Sequence, residues 1–96
     1  MIVESRTVAQ VLISAMDSVN LINSINSDAS AEPYVEGMSQ EEINAVVDRN
    51  VKHLEAVLEY SPRYEGDDTP DVAGSSEDKT PYTDGIATGK AYIAAN

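Results

Sequence analysis

The chain has 96 residues, no cysteine, and 17 acids against 6 bases, a formal net charge of −11 at pH 7. A chain this short forms one small domain that buries roughly 60–65% of the surface its unfolded form exposes, so its own core is modest. The missing cysteines exclude disulfides, thiolate nucleophiles and cysteine zinc sites. The missing basic cluster argues against a nucleic-acid binder, which needs counterion-releasing contacts, and against a cationic membrane-surface helix.

The acid excess is spread along the chain, with ten acids and three bases in residues 1–60 and seven and three in residues 61–96. The start, "MIVESRTVAQVLISAM", places Glu4 and several polar residues where a signal peptide needs a basic start and an unbroken apolar run. No segment shows the uninterrupted run of roughly 18–20 apolar residues read as a membrane span. No membrane partner is expected.

In "TVAQVLISAMDSVNLINSINS", Val8, Val11, Leu12, Ala15, Val19 and Ile22 follow the i, i+3, i+4, i+7 spacing of one helix face. This predicts a first helix over about residues 7–27, with Thr7 and Gln10 at capping-box spacing. Ile13, Leu21 and Ile25 lie off the main stripe and widen the apolar surface, so something besides a second helix is expected to pack there. A turn around Pro33 and Gly37 follows. Then Ser39-Gln-Glu-Glu42, flanked by Met38 and Ile43, reads as a capping box with a hydrophobic staple.

The second helix is expected over about residues 40–60, with Ile43, Val46, Val47, Leu54, Val57 and Leu58 on its apolar face, until Ser61-Pro62 ends it. Glu41 and Glu42 suit the positive end of the helix dipole, and Asp48 precedes Lys52 by four residues in the supportive order. Asn50 sits on the apolar stripe, where it either specifies register or finds a polar partner such as Asn20 across an antiparallel hairpin. His53, the single histidine, falls at the boundary of that face.

Residues 61–79, "SPRYEGDDTPDVAGSSEDK", lose all periodicity and concentrate Gly, Pro, Ser and acids, which predicts an acidic flexible connector between a hairpin unit (1–60) and a C-terminal unit (80–96). Glu65, Asp67, Asp68 and Asp71 do not have the alternation, central glycine and distal glutamate of a calcium loop. No metal is expected.

The sequence then reaches Gly85-Ile-Ala-Thr-Gly89-Lys90-Ala91, which invites comparison with a phosphate-binding loop. That loop needs four residues between its glycines, a Ser or Thr after the lysine, and a preceding strand. Here there are three, then alanine, and "EDKTPYTD" upstream is no strand. The better reading is a third helix over about residues 81–95, with Thr80 as N-cap, Pro81 in its first turn, and Tyr82, Ile86, Gly89 and Ile93 recurring at spacings of four, three and four. Two interior glycines cost such a helix roughly 1 kcal/mol each, so it needs a docking surface. Gly85 and Gly89 let another backbone approach, either in this chain's own hairpin or in a second molecule, with Ile86, Tyr92 and Ile93 adding contact area. With one histidine and no cysteine, hydrolytic triads and common transition-metal sites have too few parts, and the carboxylate pairs lie on exposed starts and loops. Neither enzyme activity nor a cofactor is expected.

The phrases "SVNLINSINSD", "MSQEEINAVVDRNVKHLEAVLEY" and "DGIATGKAYIAAN", including the run from Arg49 to Leu54 and the ending near Gly89 to Ile93, resemble small proteins encoded by tailed bacteriophages. The resemblance implies an accessory virion component, in the host cytoplasm before assembly, that decorates a capsid, lines a neck or joins a fibre to a tail. Its partners would be other virion proteins or copies of itself in a homo-oligomer. The contact residues expected from the sequence are Gly85, Ile86, Gly89, Tyr92, Ile93, Ile13, Leu21 and Ile25. The acidic balance alone supports a different class of function, a soluble regulator that imitates the charge of nucleic acid and blocks a DNA-binding protein.

Overall fold

The computed structural model describes residues 7–27 and 36–96, and within them the chain forms three helices, α1 (Val8–Ser27), α2 (Gln40–Leu58) and α3 (Thr80–Ala95). Glu4 at the N-terminus and Pro33 in the expected first turn lie outside the described residues. The fold is all-α, a hairpin plus a C-terminal helix.

Each helix starts where local chemistry satisfies its free amides. At α1 the Gln10 amide donates to Thr7 Oγ1 (3.1 Å) while Gln10 Oε1 accepts from the Thr7 amide (2.8 Å), the expected reciprocal cap. At α2, Ser39 and Glu42 do the same, both bonds at 3.1 Å. At α3 the expectation needs correcting, because Lys79 is the N-cap and makes no side-chain cap bond, and Thr80 is already helical. Asp78 Oδ1 takes the Thr80 amide at 2.9 Å, so the carboxylate two residues upstream does the work assigned to the threonine hydroxyl. The helix ends are equally local: α2 stops at Leu58, short of Tyr60, because the Glu59 and Tyr60 amides bond back to the Ala56 and Val57 carbonyls, each at 3.1 Å, in a tightened last turn.

Side-chain contacts fix the topology. Tyr82 Oη donates to the Leu12 carbonyl at 3.1 Å, joining the start of α3 to the start of α1, and Gln40 Nε2 donates to Tyr92 Oη at 3.0 Å, joining the end of α3 to the start of α2. Between these points Gly85 faces Val19 and Leu54, and Gly89 faces Ile22, Val47 and Val51. Moving forward along α3 therefore means moving forward along α1 and backward along α2. The hairpin is antiparallel, α3 lies in its groove parallel to α1, and every helix packs on both others.

The core holds Val11, Leu12, Ala15, Val19, Ile22, Ile43, Val46, Val47, Leu54 and Val57, as the periodicity predicts, while Val8 and Leu58 are half-buried at its edge. It also holds Ile25, Val51, Val72, Tyr82 and Tyr92. Val72 stands out because it belongs to the stretch expected to be a solvated connector and is wholly buried. The connector is a chain of turns: the Ala73 amide bonds the Tyr60 carbonyl at 3.0 Å, Asp71 Oδ1 accepts from the Gly74 amide at 2.8 Å, and Gly66 takes the left-handed φ of 88° that a side chain would resist. These turns place Val72 across the end of the bundle where α2 stops and α3 begins.

By length and mean composition α1 is long and apolar enough to cross a membrane, although polar residues interrupt its apolar run. Core helices of other folds pass the same test, and here α1 exposes Gln10, Ser14, Asp17, Asn20 and Asn23 on the side away from α2 and α3.

Candidate functional site

Gly85 and Gly89 lie inside α3 and face the hairpin of their own chain, so residues 85–90 form no loop and present no cradle of free amides. A Cβ at Gly89 would overlap Val51 Cγ2 and lie 3.3 Å from Val47 Cγ1; one at Gly85 would come within 3.2 Å of Val19 Cγ2. The glycines are present because α3 sits this close to two valine-rich faces. Of the residues expected at a contact between molecules, Gly85, Gly89, Tyr92 and Ile25 are buried in the chain's own core and offer no surface to a second molecule in this fold. Leu21, Ile86 and Ile93 are half-buried against that core. Ile13 alone points outward, 71% exposed.

The polar residues on the apolar faces are paired. Ser18, 7% exposed, donates through Oγ to Asn50 Oδ1 at 2.8 Å, and Asn50 Nδ2 donates to the Val46 carbonyl at 2.8 Å. The partner of Asn50 is thus Ser18, not Asn20, which is exposed. Ser18 is small enough to sit on the stripe beside Val19, a position the reading of periodicity from apolar residues alone passed over. His53 is exposed on α2. The exposed pairs Lys52–Asp48 (2.8 Å) and Lys90–Glu55 (3.1 Å) contribute little to stability. Among the described residues no group of three histidines or acids is placed to hold a metal.

Two surface clefts among the described residues bear on a site. One, of about 290 Å3, is lined by Met38, Glu42, Ala45, Val46 and Arg49 along the outer flank of α2. The larger, of about 430 Å3, opens where α2 ends, between Glu59, Tyr60, Arg63, Tyr64, Asp67 and Thr69. Asp67 organises its wall: Oδ1 accepts from the Thr69 amide (2.9 Å) and the Thr69 hydroxyl (2.7 Å), and Oδ2 from the Arg63 amide (3.0 Å). The Thr69 hydroxyl, followed by the Arg63 and Thr69 amides, holds the Asp67 carboxyl below its ordinary value; the Thr80 amide and hydroxyl do the same for Asp78.

A lowered carboxylate pKa means that the unfolded chain binds the proton more readily, so what these turns contribute is present above the ordinary aspartate value of about 3.9 and is lost as pH falls through the lower folded values. Carbon-detected titration should give Asp67 and Asp78 midpoints below the ordinary aspartate value of about 3.9. Asp67→Asn should remove the corresponding acid-induced loosening of residues 63–69, seen as amide exchange below about pH 4. Midpoints for Asp67 and Asp78 at the ordinary aspartate value would show that these turns are not formed in solution.

Comparison with known proteins gives no neighbour for this arrangement: no known protein family, no curated protein and no solved structure matches the chain.

Proposed function

We propose that the chain is a non-enzymatic interaction protein that works in repeated copies on a larger assembly, as a small accessory component of a tailed-phage virion. The observation that carries the interaction role is the mismatch between composition and burial in α1. The uncovered side of α1 carries Gln10, Ser14, Asp17, Asn20 and Asn23, as a solvent-facing side should, but it also leaves a large apolar side chain in water. The surplus is concentrated in the strip Ala9, Ile13 and Met16, spaced i, i+4, i+7, in which Ile13 is 71% exposed and Met16 half-buried. The phage assignment is supported by the resemblance of residues 49–54 and 89–93 to small tailed-phage proteins. Repetition by symmetry multiplies a small contact, which suits a domain of 96 residues with a modest core.

Quantitative mass spectrometry of purified particles of the encoding phage should find the chain in many copies. Its absence from particles, with recovery instead on a DNA-binding protein, would favour the acidic regulator. Ile13→Glu should leave folding stability within about 0.5 kcal/mol, as at exposed positions generally, while cutting incorporation into particles. Unchanged incorporation would show that α1 does not present the contact.

A further inference from the structure

We propose that the cleft at the C-terminal end of α2 receives a cationic side chain, arginine or lysine, of a protein partner. The inference rests on reading the chain as an interaction protein and gives the chemistry of one docking point. Four observations converge on it. The cleft opens at the carbonyl end of a 19-residue helix whose last turn carries no basic residue, so the negative end of the dipole has no cation of its own helix beside it. Two carboxylates, Glu59 and Asp67, line it, and Asp67 is held in position by three donors from its own loop. Two tyrosines line it as well, Tyr60 half-buried and Tyr64 71% exposed, and an aromatic ring beside carboxylates is the setting in which a guanidinium or ammonium binds through cation–π attraction. The cleft's volume of about 430 Å3 stands near the lower end of the range of about 300–1,000 Å3 for ligand pockets, room for one long side chain.

Charge on the whole molecule acts in the same direction, since a net −11 raises the encounter rate with basic partners. Arg63 is the one opposing feature. It lines the same cleft and its charge lies close enough to Asp67 to stabilise that carboxylate, so it competes with an incoming cation. Removing Arg63 should therefore tighten binding, and confinement of the response to the cleft separates this site from general acidity.

The test is a titration of the 15N-labelled full chain with N-acetyl-arginine amide at physiological ionic strength, with spermidine and N-acetyl-glutamate amide in separate arms. The expected result is a saturable shift confined to the amides of residues 56–69, in the millimolar range for so small a probe. Tyr64→Ala and Glu59→Gln should each weaken it about three- to fivefold, the worth of one exposed contact, and Arg63→Gln should strengthen it about twofold. Tyr64 and Glu59 are exposed, so both variants should keep the parent spectrum over the helices. Shifts spread over the acids of the whole surface, no saturation, or a weaker Arg63→Gln would overturn the proposal. A tenfold preference for spermidine would overturn it in favour of a free polyamine, and a response to the glutamate probe in favour of an anion at Arg63. Failure here and failure of the virion reading are separable: a chain absent from particles can still bind arginine in the cleft, and a multi-copy virion protein can leave it silent.

Discussion

Leu54→Ala should lower the unfolding free energy by about 2–5 kcal/mol, out of the roughly 5–15 kcal/mol that holds a domain together. Leu54 is wholly buried and faces α3 at Gly85, with its Cδ1 3.6 Å from the point where a Cβ would stand. That geometry argues for the upper half of the range. The cost of a large-to-small change depends on how far neighbours collapse into the space left behind. Opposite Leu54 there is only a glycine, with no side chain to swing inward, and the β-branched Val19 beside it is stiff at χ1. Urea unfolding should show a lower midpoint with an unchanged slope. A loss below about 1 kcal/mol would mean that α3 is not seated on the hairpin in solution.

Gly89→Leu should be as damaging, and for the opposite reason. Alanine or leucine improves the intrinsic helicity of α3 by up to about 1 kcal/mol. Against this, even a Cβ at this position overlaps Val51, and it has Val47 and Ile22 within 3.5 Å on the remaining sides. Overpacking of this kind costs typically 1–3 kcal/mol for added methylenes, so Gly89→Ala should lose about 1 kcal/mol net and Gly89→Leu about 3 kcal/mol or more. Gly85→Ala should be milder, because its closest neighbour is a valine methyl at 3.2 Å. Hydrogen exchange over residues 80–95 tests the mechanism, since displacement of α3 releases the protection of that helix while α1 and α2 still pair. Were the glycines serving only a contact between molecules, both substitutions would stabilise the monomer. A rise in monomer stability for Gly89→Leu would therefore show that α3 does not pack this closely against Val51.

The two glycines also show where sequence reasoning stops. Spacing alone shows that Gly85 and Gly89 mark a close approach, because nothing else accounts for two poor helix formers four residues apart in a short helix. Which backbone or side chain approaches is a question about chain connectivity in three dimensions, and spacing leaves both the own hairpin and a second molecule open. Val51 and Val72 illustrate the same limit from the other side. Val51 falls at the margin of the face that α2 turns to α1 and gains its burial from α3, whose position is not written in α2. Val72 sits among Asp71, Ala73, Gly74 and Ser75, a composition that averages to a solvated loop, and one apolar residue cannot reverse that average in a window. The cleft likewise arises only when the turn around Gly66 brings Asp67 and Thr69 back toward Glu59 and Tyr60.

The sequence by itself determined the helices, the two capping boxes, the end of α2 near Pro62 and most of the hairpin core, because these depend on residues within a few positions of one another. Periodicity of 3.6, side-chain oxygens three residues from their amides, and the steric effect of proline are short-range physics. The tertiary structure decided that α3 lies in the groove of its own hairpin, that Ser18 rather than Asn20 pairs with Asn50, and that Ile25 and Tyr92 turn inward while Ile13 is left outside. Each of these is a choice between alternatives of similar local energy. They are settled by long-range packing, where a valine-lined surface and a pair of glycines either meet within van der Waals distance or do not.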